Sequence, residues 1–275
     1  MLKEAVAGVL SEKEIADLYA AFDQVGEIIV IRIPDSLVPK KKVIGEILLQ
    51  KVKTARSVFY QASAVSGDYR TRDLELLAGE DKTETEYKEY GCRFMVDVQK
   101  AFFSPRLSTE RDRIANLIQD GETVINMFGG VGMFSIIAAK RKKCLVYNID
   151  INPDAIRLCD QNIKLNKLIG KVETIAGDAA KIIEEKLSEK GDRVLMLLPE
   201  RSDEFLDSAV KALKSNAILH YYCHIHSDKK SEVAELAERH FLEVIKNKSE
   251  VLSSKIVRPV GPRFYQAVVD ARVSK

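Results

Sequence analysis

The chain has 275 residues and a formal net charge of +2, with 46% hydrophobic and 31% charged residues. That length accommodates two domains, and that balance builds a buried core rather than a disordered chain. The charge is too small to demand nucleic acid, no apolar run can span a bilayer, and the opening MLKEAVAGVLSEKE contains acids and no cleavage site, so the cytoplasm is the expected compartment and no membrane partner is expected.

In chain order, Ser11 with Glu14 three residues on predicts a capping box and a helix to about Phe22, ended by Gly26. Glu27–Ile33 alternates as a strand, Pro34 breaks it, Val38–Val52 has helical spacing, and Ser57–Ala64 is a second strand. A polar stretch, Gly67 to Arg72, leads to a strand at Leu74–Ala78. Thr83–Tyr90 and Cys92–Val98 flank Gly91 as a hairpin. This predicts a small α+β domain over residues 1–100. Phe102–Arg106 is a linker, and Ser108 or Thr109 caps a helix from Glu110 to Leu117. Strands and helices then alternate: strand Val124–Phe128, helix Met133–Lys140, strand Cys144–Ile149, helix Asp154–Leu165, strand Val172–Ala176, helix Ala179–Leu187, strand Val194–Leu198, helix Asp203–Leu213, strand Ala217–Cys223, helix Lys229–His240, then strands Val244–Val251 and Phe264–Val273. Such alternation predicts, over residues 101–275, an α/β fold with a mostly parallel sheet and an antiparallel C-terminal strand.

The stretch Val124 to Pro153 carries the strongest signal. An apolar strand runs into Gly129, Gly130 and Gly132, a helix follows, and the next strand ends in Asp150. Glycines at such a turn let a ligand approach the backbone, and an acid at the end of the next strand holds ribose hydroxyls. A dinucleotide prefers a third glycine where Ser135 stands, whereas S-adenosylmethionine needs only the close turn and the acid. The alternative is that the glycines merely pack a helix on a strand. In an open parallel sheet ligands sit beyond the carboxyl ends of the strands, which gathers Phe128 to Gly132, Asp150-Ile151, Gly177-Asp178 and Leu197-Leu198-Pro199. Gly177-Asp178 faces an adenine edge or is an ordinary helix cap. Pro199 is a rigid strand exit beside the reacting group or a plain terminator.

Glu110, in FFSPRLSTER, is either a general base or the acid of a capping box. If it only caps, Glu110→Gln leaves chemistry alone, and in either case melting should be near normal. Arg70, Arg72, Arg106 and Arg111 offer charge-assisted bonds to phosphate or carboxylate, or form surface ion pairs. His220, His224 and His226 share a strand face, but nothing beside them has metal-ligand spacing, so packing or RNA contact is the preferred reading and no metal is expected. The four cysteines form no C-x-x-C pair. Lys40–Lys42 and Lys140–Lys143 are basic clusters that read as solvated surface.

RDLELLAGED (72–81), GCRF (91–94), FFSPRLSTER (102–111), the MFGGVGMF loop, DINPDAI (150–156), GDA (177–179) and LPERSDEFL (198–206) stand in one order. With them the chain resembles the archaeal and eukaryotic tRNA (guanine-37 N1)-methyltransferases. The resemblance implies a class I Rossmann-like domain using S-adenosylmethionine, preceded by an RNA-facing domain, with tRNA as partner. It implies Glu110 as base on guanine N1 and Arg70 as the group steadying O6. It places Arg111, Phe128, Asp150, Ile151, Asp178 and Ala179 around the cofactor, with Gly130, Gly132, Leu197 and Pro199 lining the same strand ends and Phe102 and Arg106 on the substrate side. Asn126 stands where the family usually has Asp, and Leu197 where it usually has Asn. The resemblance does not cover the family's outer N-terminal domain, so affinity is expected to rest on the anticodon arm, and a monomer is expected. A sister branch, the wybutosine-pathway aminocarboxypropyl transferase, uses the same cofactor but moves its other arm. Asp150 and the intact Ser104–Arg111 run favour methyl transfer, whereas the short N-terminus favours the sister. A non-catalytic RNA-binding module is the third reading.

Overall fold

The computed structural model describes residues 2–19, 21–63 and 67–275. Ala20 and Ala64, inside the first predicted helix and the second predicted strand, lie outside the described residues. The chain divides into two compact units, residues 1–105 and 106–275.

The first unit begins with α1 (Leu2–Ala5) and α2 (Glu12–Asp17). The Ser11 capping box forms as the sequence predicts, with the Glu14 carboxylate accepting from Ser11 N at 2.8 Å. The helix ends at Asp17, earlier than predicted. Gly26 instead makes the tight turn of an antiparallel hairpin between β1 (Asp23–Val25) and β2 (Ile28–Ile31), a position at φ +54° that a side chain would strain. A 3-10 turn, Asp35–Lys40, leads into α3 (Lys41–Lys51). β3 (Ser57–Gln61) pairs parallel to β2, and β4 (Leu74–Gly79) antiparallel to β3. All four residues of β2 are buried, which explains its unbroken apolar run. β5 (Glu84–Glu89) and β6 (Cys92–Asp97) form the predicted hairpin. Its two-residue turn, Tyr90-Gly91, has φ values of 47° and 71°, the mirror-image turn that matches strand twist. Leu2, Val6, Leu10, Ile29, Ile31, Ile44, Leu48 and Val58 belong to one core cluster of this unit.

In the second unit, α4 (Ser108–Leu117) precedes β7 (Thr123–Asn126), α5 (Met133–Arg141), β8 (Leu145–Asp150), α6 (Pro153–Leu165), β9 (Lys171–Ala176) and α7 (Ala179–Ile182), which continues as a wider π-type turn to Leu187. Then come β10 (Gly191–Met196), α8 (Ser202–Ala212), β11 (Leu213–His226), α9 (Val233–Val244), β12 (Ser249–Gly261) and β13 (Phe264–Val273). The seven strands lie in the order β12-β13-β11-β10-β7-β8-β9. Five are parallel neighbours, and β13 runs antiparallel between β11 and β12. The α/β class, the parallel core and the antiparallel C-terminal strand are therefore as the sequence predicts.

Several boundaries differ: β12 runs on to Gly261, past the predicted Val251, because it pairs with β13 along its length, and two others have equally plain causes. β11 is longer than Ala217–Cys223 because it pairs with β13 from Ala217↔Val273 to His226↔Phe264. Val244 ends a helix rather than starting a strand: Val233, Ala237 and Phe241, four apart, form one buried stripe that carries α9 through it. Ile125, Val194, Leu195, Leu219, Val268 and Val269 are fully buried or nearly so in the sheet, each contributing about 1.5–3 kcal/mol relative to exposure. Among the described residues no helix is long and apolar enough to cross a membrane.

Candidate active site

The four strand ends gathered by sequence belong to β10, β7, β8 and β9, which are consecutive parallel neighbours in the sheet. Their carboxyl ends therefore open on one side. The loop leaving β7 is pinned by Met127 N donating to Leu195 O at 3.1 Å and Gly129 N to Ile149 O at 2.7 Å. Gly130 and Gly132 hold φ values of 54° and 87°, and Gly132 is the N-cap of α5. A Cβ on Gly129 would fall within 2.5 Å of the Asn148 side chain, and one on Gly132 would fall 2.4 Å from Cys159 Sγ. Internal packing alone thus demands two of these three glycines, as the helix-on-strand alternative anticipated.

Asp150 ends β8 and faces the same loop. Its Oδ2 accepts from Gly130 N at 2.7 Å and its Oδ1 from Asn152 N at 2.9 Å. These two bonds fix the orientation of the carboxylate. Asn152 also caps α6, with Pro153 at the first helical position. Ile151 beside it is 40% exposed, an apolar surface at a strand end. Below the loop, Asn126 Nδ2 donates to Ser135 Oγ at 3.1 Å, and Ser135 Oγ donates to Asn148 Oδ1 at 2.6 Å. The fully buried Asn126 Oδ1 has no hydrogen-bond partner. A lone acceptor under a glycine turn, a pinned acid and an exposed apolar side chain are features that fit S-adenosylmethionine.

Asp178 caps α7, accepting from Lys181 N at 2.9 Å, and Ala179 is buried behind it. Leu197 and Pro199 are half-buried in the turn after β10, where Leu198 O accepts from Ser202 Oγ. Phe128 meets Phe205 edge-on at 5.0 Å, and Arg201 lies over Phe205 at 5.3 Å. Arg111 is buried, its guanidinium 5.9 Å from the Phe134 ring at the start of α5. Arg106 is exposed in a 3-10 turn, Pro105–Leu107. In the first unit Arg70 has φ +52°, and its guanidinium stacks on Phe102 at 4.0 Å. Such a backbone is uncommon for a residue with a side chain and costs energy that the surroundings must supply.

Glu110 departs from one expectation. The N-cap of α4 is Leu107, with no side-chain capping bond, so no capping box forms. Glu110 instead points inward and is 6% exposed. Its Oε1 accepts from Tyr222 OH at 2.5 Å and from Arg113 Nη2 at 2.6 Å, and its Oε2 accepts from Arg113 Nε at 2.8 Å. Arg113 also donates to Asp270 Oδ2 at 2.6 Å, Asp270 Oδ1 meets His220 Nδ1 at 2.6 Å, and His220 Nε2 meets Arg193 Nη1 at 2.7 Å. Arg193 in turn forks onto Glu122 at 2.8 and 2.9 Å. Burial opposes charge on both Arg113 and Asp270, but their mutual bonds, with Glu110 and His220, outweigh it: the guanidinium pKa is raised and the carboxyl pKa lowered. Burial, then the charge of Glu110, pushes the Tyr222 hydroxyl well above its ordinary value, so it remains a donor.

The tautomer of His220 follows from its neighbours. Arginine has only donors, so Nε2 accepts from Arg193 and Nδ1 carries the proton given to Asp270. The ring is neutral, and burial lowers its pKa in spite of Asp270. Unfolded histidine takes up a proton near pH 6.5, whereas folded His220 resists it. The unfolded chain thus binds more protons, and stability falls as pH drops below about 6.5, by up to about 1.4 kcal/mol per pH unit. Denaturant titrations at pH 7, 6 and 5 check this: His220→Gln should lose that slope whatever its absolute stability, and parallel slopes would contradict it. Among the described residues no cluster of three or more His, Cys, Asp or Glu could hold a metal ion.

The sheet, the glycine loop and the pinned acid define a class I, Rossmann-like methyltransferase fold. Residues 85–251 match the model of the TRM5/TYW2 methyltransferase domain, and residues 2–83 that of the TYW2 N-terminal domain. Over 267 residues the chain is 39% identical to Trm5b of Pyrococcus abyssi, a tRNA (guanine(37)-N(1))-methyltransferase, spanning 94% of this chain and 76% of the relative. It is 35% identical to Taw21 of Saccharolobus solfataricus, a tRNA 4-demethylwyosine(37)-methyltransferase, over 94% of this chain and 95% of the relative. It superposes with a TM-score of 0.84 on aTrm5 solved in complex with tRNALeu, at 35% identity, covering 99% of this chain and 78% of that one. The chain belongs to the TRM5/TYW2 methyltransferase family.

Proposed function

We propose that this chain transfers the methyl group of S-adenosylmethionine to N1 of guanine 37 in tRNA. When bound, S-adenosylmethionine supplies an electrophilic methyl on a sulfonium, whose S–C electrons stay on sulfur as the methyl leaves. Asp150 would hold the ribose hydroxyls, with Gly130, Gly132, Phe128, Ile151, Asp178, Ala179, Leu197, Pro199 and Arg111 as the residues that would surround the ligand. Guanine N1 holds its proton at neutral pH, so the transfer needs a base, and Glu110 takes that role. Charge then develops at O6, where Arg70, stacked on Phe102, steadies it. Arg106 contacts the RNA. Residues 1–100 form the RNA-facing domain and residues 101–275 the methyltransferase, a reading supported by the division of the chain at residue 105. Position 37 lies in the anticodon loop, so the anticodon arm of tRNA is the partner.

The observation that carries this reading is Glu110 itself. It is a buried carboxylate held by side chains rather than by helix capping, in the same unit as the Asp150-pinned loop and next to Arg111, which reaches the first turn of α5. An unmodified tRNA transcript with guanosine at 37 should accept methyl from labelled cofactor, and the same transcript with adenosine at 37 should not. Equal labelling of both would reject guanine N1 as the target. The likeness to Taw21 over 95% of its length supports a second reading, methylation of 4-demethylwyosine at the same position. A tRNA carrying that base and labelled in preference to guanosine-37 tRNA would favour it.

A further inference from the structure

The two oxygens of Glu110 are not equivalent. Oε1 accepts two hydrogen bonds, from Tyr222 on β11 and from one arm of the Arg113 fork, whereas Oε2 accepts one, from Arg113 Nε. Arg113 cannot swing away to free Oε1, because Asp270 on β13 holds its other edge at 2.6 Å and is itself held by His220 and by Ser253 Oγ at 2.9 Å. Three strands and one helix thus fix a single carboxylate. A hydrogen-bonded pair of this kind loses little reorganisation energy when charge moves on it, because its partners are already in place.

Resting on the reading of Glu110 as the base, we propose that Oε2 is the oxygen that receives the guanine N1 proton, and that Tyr222 and Arg113 are positioning residues that lock Oε1 and so aim Oε2. In that step the N1–H bond breaks, its electrons remain on N1 and form the new N–CH3 bond, and the proton forms an O–H bond at Oε2. Tyr222 neither gains nor loses a proton. Arg113 stays charged, and its fork makes the carboxylate a single rigid body. Neither residue touches the base; each acts through Glu110.

That last property gives a test which a merely structural residue would not pass. Tyr222→Phe keeps the buried ring and removes one hydrogen bond. Single-turnover transfer at saturating cofactor and guanosine-37 tRNA should fall about tenfold, near the lower end of what one hydrogen bond to a charged group contributes, with cofactor affinity unchanged. In a Glu110→Gln background, where there is no carboxylate to aim, Tyr222→Phe should change the residual rate by less than about twofold, because residues that act as a unit are not additive. Arg113→Lys, which keeps the charge but breaks the fork, should behave likewise in both backgrounds, so the inference does not hang on one variant. Tyr222→Phe and Arg113→Lys that transfer at the wild-type rate, or that lose as much in the Glu110→Gln background as in the wild type, would overturn it. A wild-type chain that methylates no guanosine-37 tRNA removes the underlying reading instead, and the proposal with it.

Discussion

Glu110→Gln is expected to lower single-turnover methyl transfer at least about a hundredfold, the lower end of what a lost general base costs. Gln has nearly the same shape and cannot take a proton. Sequence alone suggests that melting should stay near normal, because Gln also serves in a capping box. The structure revises that expectation. Glu110 caps nothing and accepts three buried bonds, two of them from Arg113. The amide must turn an NH2 toward at least one of these donors. A stability loss of about 1.5–3 kcal/mol is therefore expected, the scale of hydrogen bonds to charged groups. Arg113 keeps Asp270 as a partner, which limits the loss. The rate must then be measured where the variant is folded, as judged by circular dichroism, and with both substrates saturating. A folded Glu110→Gln variant that transfers at the wild-type rate would leave Glu110 as a structural ion-pair residue and the base unidentified.

Asp150→Ala is expected to weaken S-adenosylmethionine binding by about 1.5–3 kcal/mol, roughly ten- to 150-fold, since a charged acceptor to ribose is lost. The structure adds a second cause in the same direction. Asp150 ties Gly130 N and Asn152 N to one carboxylate, so its removal also releases the loop that the ligand must find in place. Asp150→Asn changes both at once. It keeps one acceptor for the backbone, turns an NH2 toward the other backbone N–H and removes the charge. It should therefore lose affinity nearly as far as Asp150→Ala. Calorimetry giving unchanged affinity in a folded Asp150→Ala variant would reject this placement.

What the sequence made legible follows from distance along the chain. The glycine loop and Asp150 lie within about twenty residues of each other, and the β-turn-α-β path between them leaves few ways to arrange them. The Tyr90-Gly91 hairpin was equally legible, because the turn residues themselves dictate its geometry. The setting of Glu110 was not. Arg113 and Asp270 are 157 residues apart and Glu110 and Tyr222 are 112 apart, and no local periodicity encodes a pairing across strands that the topology alone brings together. The one available signal was Arg113 three residues after Glu110, on the same helix face, which favours an ion pair over a cap. In the sequence His220 is one of three histidines on a strand face. Its partners, Asp270 and Arg193, stand on neighbouring strands that the sequence could place in the sheet but not in register.

The most direct measurement uses S-adenosylmethionine labelled separately in the methyl and in the aminocarboxypropyl arm, incubated with unmodified guanosine-37 tRNA and followed by identification of the labelled nucleoside. Methyl label in 1-methylguanosine at position 37 and no aminocarboxypropyl label in the tRNA are expected. Aminocarboxypropyl label retained on the tRNA, or methyl label in any other nucleoside, would contradict methyl transfer to guanine 37.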